Sequence, residues 1–297
     1  MVSPLVSVIV LNWNTPQETL NCLQSLENLS YPNHQVLVID NGSGDDSVHI
    51  LADFVQFHPK FTLFVTGENL GFSGGVNYGI DVALSLGAVY IWFLNSDTEV
   101  APDCLSALVN AMELDPVVAI AGSKIFLQSQ QNVVWHAGAS FVRGIGQPRH
   151  RGMGADQSDP RYSTSCLVEY VTGCSLLVRA AVIQQIGKLD DRFYLYYEEA
   201  DLCYRSRRQG WKILYVAESQ LWHKVAGSST GFYARNYYEV RNRLLFTVKH
   251  KPYNLPLVLS YLLFQEIIKP FLKGYWKPAW FGWLGCIDFF RAKFGRL

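Results

Sequence analysis

Three groups of side chains in this sequence have the types and spacing to do chemistry. Asn95, Ser96 and Asp97 follow directly on the apolar run "AVYIWFL". Glu198, Glu199 and Asp201 crowd the opening of "EEADLCYRSRR", and His223 closes the stretch "WKILYVAESQLWH". A carboxylate such as Asp97 can ligate a divalent cation, a hard ion that prefers oxygen donors and bridges substrate phosphates. A neutral imidazole such as His223 is a common metal ligand. A carboxylate within reach of a hydroxyl can take its proton as a general base. Each group also has a plain structural explanation. Asn, Ser and Asp favour turns, acidic residues favour helix starts, and His223 fits a satisfied structural histidine. On a helix, Glu198 and Asp201 share a face while Glu199 points elsewhere, so one carboxylate is free to face a site. At a helix start that carboxylate is expected to stay ionised.

Two further stretches are ambiguous in the same way. Asp40 opens "DNGSGDDS", which is full of turn formers and lacks the spacing of an EF-hand. "NLGFSGGVNYG" is glycine-rich but is neither GxGxxG nor GxxxxGK[ST]. Its glycines serve close packing, or they let backbone amides approach a phosphate.

The elements that must position these residues are legible as alternating apolar runs and helices. "VSVIVLN", "HQVLVID", "FTLFVT" and "AVYIWFLN" read as buried strands. Between the first two, Thr15 is a candidate N-cap, Pro16 suits the first helical position, and Glu18 completes a capping box. The glycine-rich segment reads as a loop entering a helix over residues 76–86. Near-continuous apolar strands alternating with helices predict a mostly parallel α/β sheet covered on both faces. In such sheets ligands bind beyond the carboxyl ends of the strands. Asn12 with Asn14, Asp40 with Asn41, Asn69, and Asn95 with Asp97 are therefore expected side by side along one edge. Further on, residues 138–165 read as a long functional loop. "VEYVTGCSLLVRAAVIQQIG" reads as a strand and helix, and Gly210 as the stop of the helix that Glu198 opens.

The bulk numbers bound the class. The chain has 297 residues, 49% hydrophobic, with its charges cancelling at neutral pH. That balance argues against a nucleic-acid binder, which shows a basic excess. It is not uniform: Lys251, Lys269, Lys273, Lys277, Arg291, Lys293 and Arg296 face only Glu266 and Asp288 beyond residue 250. The six cysteines form no CxxC pair and read as buried thiols of a reducing compartment. The apolar start lacks a basic leader. The longest uncharged run in the tail, residues 252–265, falls short of the roughly 20 residues a spanning helix needs. A cytoplasmic protein is expected.

From about residue 6 to residue 250 the chain resembles family 2 glycosyltransferases of the A-type fold, within a rhamnosyltransferase-like bacterial branch. "VSVIVLNWN" looks like the family's first strand, whose end, here Asn12 and Trp13, cradles the nucleotide. "VIDNGSGDDS" resembles the segment whose leading Asp, here Asp40, contacts the base. "ENLGFSGGVNYGI" resembles the NxGFxxxxN loop, with Asn69, Gly71 and Asn77. "FLNSDTEV" stands where the DxD motif holds metal and donor diphosphate, with Asn95 in place of the first Asp, then Ser96 and Asp97. "FYLYYEEADLCYR" resembles the acceptor-side block, where Glu199 occupies the position of the catalytic Asp, flanked by Glu198 and Asp201. "LWHKVAGSS" matches a motif whose His, here His223, completes the metal shell.

The resemblance implies an inverting transferase that uses Mg or Mn. It would move a sugar, such as rhamnose or a related hexose, from a dTDP- or UDP-linked donor to a cell-surface or lipid-linked glycan. It also implies a catalytic domain over 1–250, with a donor half to 125 and an acceptor half from 126. Residues 251–297 form either helices packed on that domain or an aromatic and basic anchor on an anionic membrane at its cytoplasmic face. The rival readings are a non-catalytic nucleotide- or glycan-binding module, suggested by Asn95 and Glu199, and a nucleotidyltransferase. The latter needs a basic glycine-rich loop where this chain has "LNWNTPQET".

Overall fold

The computed structural model describes residues 3–225 and 231–297. Strand β1 (Val6–Asn12) leads to α1 (Pro16–Glu27), β2 (His34–Asp40), α2 (Ser47–Val55), β3 (Phe61–Val65), α3 (Gly71–Ser85) and β4 (Tyr90–Asn95). These strands pair in parallel in the order β4-β1-β2-β3. Their apolar residues alternate between two cores. Val8, Val10, Val38, Trp92 and Leu94 pack toward Cys22, Leu23 and Leu26 of α1. Ile9, Leu37, Ile39, Ile91 and Phe93 pack toward Val76 and Ile80 of α3. Each strand buries both sides, so it reads as a continuous apolar run.

A turn after β4 opens β5 (Thr98–Val100), followed by α4 (Cys104–Leu114), β6 (Val118–Leu127) and β7 (Gln130–His136). Residues 138–165 are more ordered than a long loop: β8 (Ala139–Phe141) and β9 (Pro148–His150) form a hairpin, and Pro160–Tyr162 is a 3₁₀ turn. Then come β10 (Cys166–Val168), β11 (Ser175–Arg179), α5 (Ala180–Ile186), α6 (Glu198–Arg208) and β12 (Lys212–His223). β11 runs antiparallel between β4 and β6, and β12 is parallel to β6. The sheet order is β10-β12-β6-β11-β4-β1-β2-β3. Gly210, at φ +88, stops α6 as expected.

Two local expectations change. Helix α1 begins at Pro16, but Thr15 makes no side-chain cap bond, and Glu18 binds Lys224 at 2.8 Å. A distant lysine outcompetes the capping box. Helix α3 begins at Gly71, so most of the glycine-rich segment is helix. A Cβ at Gly75 would sit 2.4 Å from Leu11, and one at Gly79 2.8 Å from Ile9. Close packing on β1 overrides the poor helix propensity of glycine.

The C-terminal layer holds α7 (Gly231–His250), α8 (Leu255–Leu262), a π-helical stretch Leu263–Ile268, α9 (Lys269–Leu272) and α10 (Trp276–Phe290). From Pro252 to Leu272 the chain is one helical run of 21 residues, long and apolar enough by length and composition to cross a membrane. The expectation from the uncharged run is thereby corrected, because the helix continues through Glu266 and Lys269. Helix α10 folds back along α7, where Tyr237 donates a 2.8 Å hydrogen bond to Asp288. A Cβ at Gly285 would lie 2.6 Å from the Tyr237 carbonyl. Phe264, Phe271, Leu272, Tyr275, Trp276 and Trp280 stay exposed.

Candidate active site

Strand register brings the polar clusters together. Asn12 pairs with Asp40 and Leu11 with Asn95, so the carboxyl ends of β1, β2 and β4 are level. The Asn95–Thr98 segment is indeed a turn, closed by the Thr98 hydroxyl donating to the Asn95 carbonyl at 2.7 Å. It presents Asp97 all the same. β5 pairs with the end of β12, Thr98 opposite His223, and this places His223 Nε2 3.0 Å from Asp97 Oδ1. The other ring nitrogen of His223 is buried without a partner. Lys224 donates its backbone N–H to the Asp97 carbonyl. Residues 226–229 of the histidine motif lie outside the described residues.

Asp40 is fully buried and accepts from Asn12 Nδ2 at 2.8 Å, Ser43 Oγ at 2.7 Å and Ser43 N at 3.0 Å. Its carboxylate shapes the loop after β2, which touches Asn14 through Ser43. Trp13 lies half-buried beneath Arg296, 5.9 Å from the ring centre. Asn69 accepts from Gly71 N at 2.8 Å and from the Tyr194 hydroxyl at 3.0 Å. Gly71 has φ +74, and a Cβ there would stand 2.4 Å from the Tyr194 ring. Only glycine fits that crossing. Asn77 bonds both the carbonyl and the N–H of Leu189, and Asp191 Oδ1. The segment from Asn69 to Asn77 thus ties the first half of the chain to the loop that precedes α6.

The acidic start of α6 divides as follows. Asp201 is fully buried and held by Arg205 at 2.7 Å, Lys249 at 2.8 Å and His250 at 2.7 Å. Burial opposes its charge, but the hydrogen bond with His250 and the charges of Arg205 and Lys249 together keep the carboxyl below its usual range. It fastens α6 to α7, and both of its oxygens are taken by these partners. Glu199 lies beside Gly173, whose Cβ position is 3.7 Å from the Glu199 Cβ. The next residue, Cys174, accepts from the Asn95 N–H, so Glu199 adjoins the end of β4. Glu199 Oε1 accepts from the Tyr170 hydroxyl at 3.2 Å, and Oε2 has no partner. Glu198 is buried too, with Oε2 unpartnered.

Burial raises both carboxyls, and for Glu198 the charge of Glu199 adds to it. Against the helix-start expectation, desolvation holds the Glu199 carboxyl above its usual range. Hydrogen bonds from backbone N–H groups and Tyr170 oppose the rise at Glu199. Tyr170, its own pKa pushed well up by burial, stays a donor. Tyr170→Phe therefore moves the acid limb of the pH–rate profile to higher pH, because the ionised form of Glu199 loses a donor. An unmoved limb contradicts that link.

Glu198 carries a stability prediction. A carboxyl raised by folding supports the fold below its unfolded pKa and loses that support as pH rises through the folded value. Glu198→Gln therefore matches the parent near pH 4 and melts higher at pH 7–8. The gain is roughly 2–6 °C, from a desolvation penalty of about 1–3 kcal/mol. Equal melting temperatures across that range would contradict it.

Residues 7–185 match the profile of glycosyl transferase family 2. The chain belongs to this family. It is 28% identical over 210 residues to an N-acetylglucosaminyl-diphospho-decaprenol L-rhamnosyltransferase of Mycobacterium tuberculosis, covering 65% of this chain and 67% of that one. It is 24% identical over 247 residues to a low-salt glycan biosynthesis hexosyltransferase of Haloferax volcanii, covering 81% and 74%. The mannosyltransferase PcManGT from Pyrobaculum calidifontis, solved with GDP-Man and Mn2+, matches with a TM-score of 0.61 at 14% identity. That match covers 99% of this chain and 89% of the other. The A-type glycosyltransferase fold and the transferase class both follow.

The glycosyltransferase holds Glu198 and Glu199 by means that sequence reading missed. Tyr194, Tyr196 and Tyr197, just ahead of them, have φ of 64°, 70° and 77°, a costly backbone for tyrosine. Asn242 of α7, fully buried, donates its side-chain amide to the carbonyls of Phe193, Leu195 and Tyr196, each at 2.8 Å. Arg241 beside it reaches Phe193 O at 2.9 Å and Gly295 O at 2.7 Å. The signal in the sequence was "EVRNRLL": charged and amide residues on a helix whose neighbours are apolar.

Proposed function

We propose that this chain is an inverting, metal-dependent glycosyltransferase that moves a sugar such as rhamnose or a related hexose from a dTDP- or UDP-linked donor. The supporting observation is the placement of Asp97 with His223 and of Glu199 around the same strand ends, joined through Asn95, Cys174 and Gly173. In this reading Glu199 takes the proton of the acceptor hydroxyl as that oxygen attacks the anomeric carbon from the face opposite the diphosphate, which inverts the centre. The Oε2 of Glu199, buried without a hydrogen-bond partner, supports a catalytic role over a mere binding module, since a buried acceptor left unpaired costs stability.

Asp97 and His223 are the residues that would hold Mg or Mn. Among the described residues no group of three His, Cys, Asp or Glu side chains gathers as a metal site. Two protein ligands completed by diphosphate oxygens suit a hard cation that keeps substrate and water in its shell. When bound, the metal neutralises charge developing on the leaving diphosphate. Asn12, Trp13 and Asn69 would line the nucleotide side, with Asp40 shaping the loop beneath.

The acceptor is proposed to be a lipid-linked or cell-surface glycan, as the decaprenol-linked substrate in the relative's name suggests. The exposed Phe271, Leu272, Tyr275, Trp276 and Trp280, close in sequence to Lys269, Lys273 and Lys277, suit docking on an anionic membrane at its cytoplasmic face. The test is to incubate the protein and Mn2+ with dTDP-rhamnose or UDP-hexoses and a polyprenyl-diphosphate-linked N-acetylglucosamine in vesicles. The reading predicts a glycosylated lipid with inverted anomeric configuration. Retention of configuration, or no transfer from any donor, overturns it.

A further inference from the structure

Between Asp97–His223 and Tyr170–Glu199 lies a group of rings that no role above uses. In β7, Val134 pairs with Phe126 and His136 with Ile125, so Trp135 is the extra residue of a bulge. Bulges re-aim side chains and recur next to active sites. Here both Trp135 and His136 reach His150 of β9, with ring centres 5.2 and 4.6 Å from it. Trp135 also meets the His223 ring edge-on at 4.7 Å. On the other side, Tyr170 lies 6.2 Å from His136 and 6.3 Å from His150. The chain of contacts runs from the residue paired with Asp97 to the residue bonded to Glu199.

These histidines are not satisfied core residues. His136 is 1% exposed, yet neither of its ring nitrogens has a partner. His150 Nδ1 and His223 Nδ1 are likewise buried and unpartnered. Buried polar atoms are nearly always paired, so these unpartnered nitrogens mark a place able to take a polar group. Burial pushes His136 far down and His150 to about 4, so both are neutral near pH 7. A neutral imidazole offers one N–H and one lone pair, the complement of a hydroxyl that both donates and accepts. The bulged indole beside them offers a flat apolar face, suited to the C–H side of a pyranose. A metal is a poor fit, since these rings meet edge to face.

We propose that Trp135, His136 and His150 form the pocket for the sugar being transferred, reading the hydroxyls of a neutral hexose or deoxyhexose. This rests on the donor-site reading above. The sugar of a bound donor must reach from the diphosphate near Asp97 to the acceptor oxygen near Glu199, and the ring contacts link His223, paired with Asp97, to Tyr170, bonded to Glu199.

The experiment compares melting shifts given by dTDP, UDP, dTDP-rhamnose and UDP-glucose, with Mn2+, for the parent protein and for His136→Ala, His136→Asn and His150→Ala. The parent is expected to gain more from one sugar nucleotide than from its bare nucleotide. His136→Ala and His150→Ala erase that extra gain, keep the bare-nucleotide shift, and lose about 10²-fold in kcat/KM, the range for removing a hydrogen bond to a substrate hydroxyl. His136→Asn, which keeps a donor and an acceptor, restores part of it and guards against a folding artefact. An extra gain that survives in all three variants overturns the pocket, as does a loss confined to the KM for the acceptor. Absence of any nucleotide shift in the parent instead removes the donor-site reading itself.

Discussion

Replacing Glu199 with glutamine lowers turnover by about 10²–10⁴-fold, the span ascribed to a positioned general base. Affinity for the metal and nucleoside diphosphate stays at the parent level. The reason is local. Glu199 adjoins Gly173, and through Cys174 the end of β4, while Asp97 stands on the turn that follows β4. Glutamine keeps the size and the Tyr170 contact but has no basic oxygen. Glu199→Asp shortens the reach by one methylene and is expected to lose turnover as well, since displacement by about 1 Å can forfeit 10²-fold. Comparing parent and glutamine variants by single-turnover transfer and by nucleotide titration separates the two effects. Nucleotide binding lost together with turnover would contradict the assignment.

The second large effect is expected at Asn242, which never approaches the substrate. Asn242→Ala strips the amide from three carbonyls at once. Each hydrogen bond lost costs about 1 kcal/mol, so a total of roughly 3 kcal/mol is expected, and a melting temperature roughly 6 °C lower. The tyrosine loop is then free to leave its left-handed backbone, and Glu198 and Glu199 lose their fixed aim. Turnover falls well beyond the fraction of protein unfolded, with the KM for the donor little changed. A purely structural residue would lower the amount of folded enzyme and leave kcat per folded molecule intact. That outcome would refute the positioning role.

The sheet edge was legible because one physical rule governs it. Apolar runs that bury both faces must end where the polar residues begin, so Asn12, Asp40 and Asn95 align once the strands pair in parallel. The turn reading and the metal reading of Asn95-Ser96-Asp97 were not rivals, since the turn is what presents Asp97. What sequence could not reveal rests on contacts between distant segments. Glu18 meets Lys224, Arg296 covers Trp13, and Asn77 grips Leu189. Local propensity carries no trace of such partners. The upward shift of the Glu199 carboxyl escaped for the same reason: the helix end was visible, but the burial that opposes ionisation comes from other elements. Trp135 and His136 drew no reading from the sequence, because a bulge is invisible until the neighbouring strand is in place.

The most direct measurement is the melting temperature of the protein with each of dTDP, UDP and GDP, with and without Mn2+ or Mg2+, for the parent and for Asp97→Ala. A ligand that binds only the folded state raises it, by about 2.7 kcal/mol of stability at a hundredfold excess over Kd. The account predicts a shift with at least one nucleotide that needs the metal and disappears in Asp97→Ala. A nucleotide shift that ignores both the metal and Asp97, or no shift at all, would contradict a metal-held diphosphate at the end of β4.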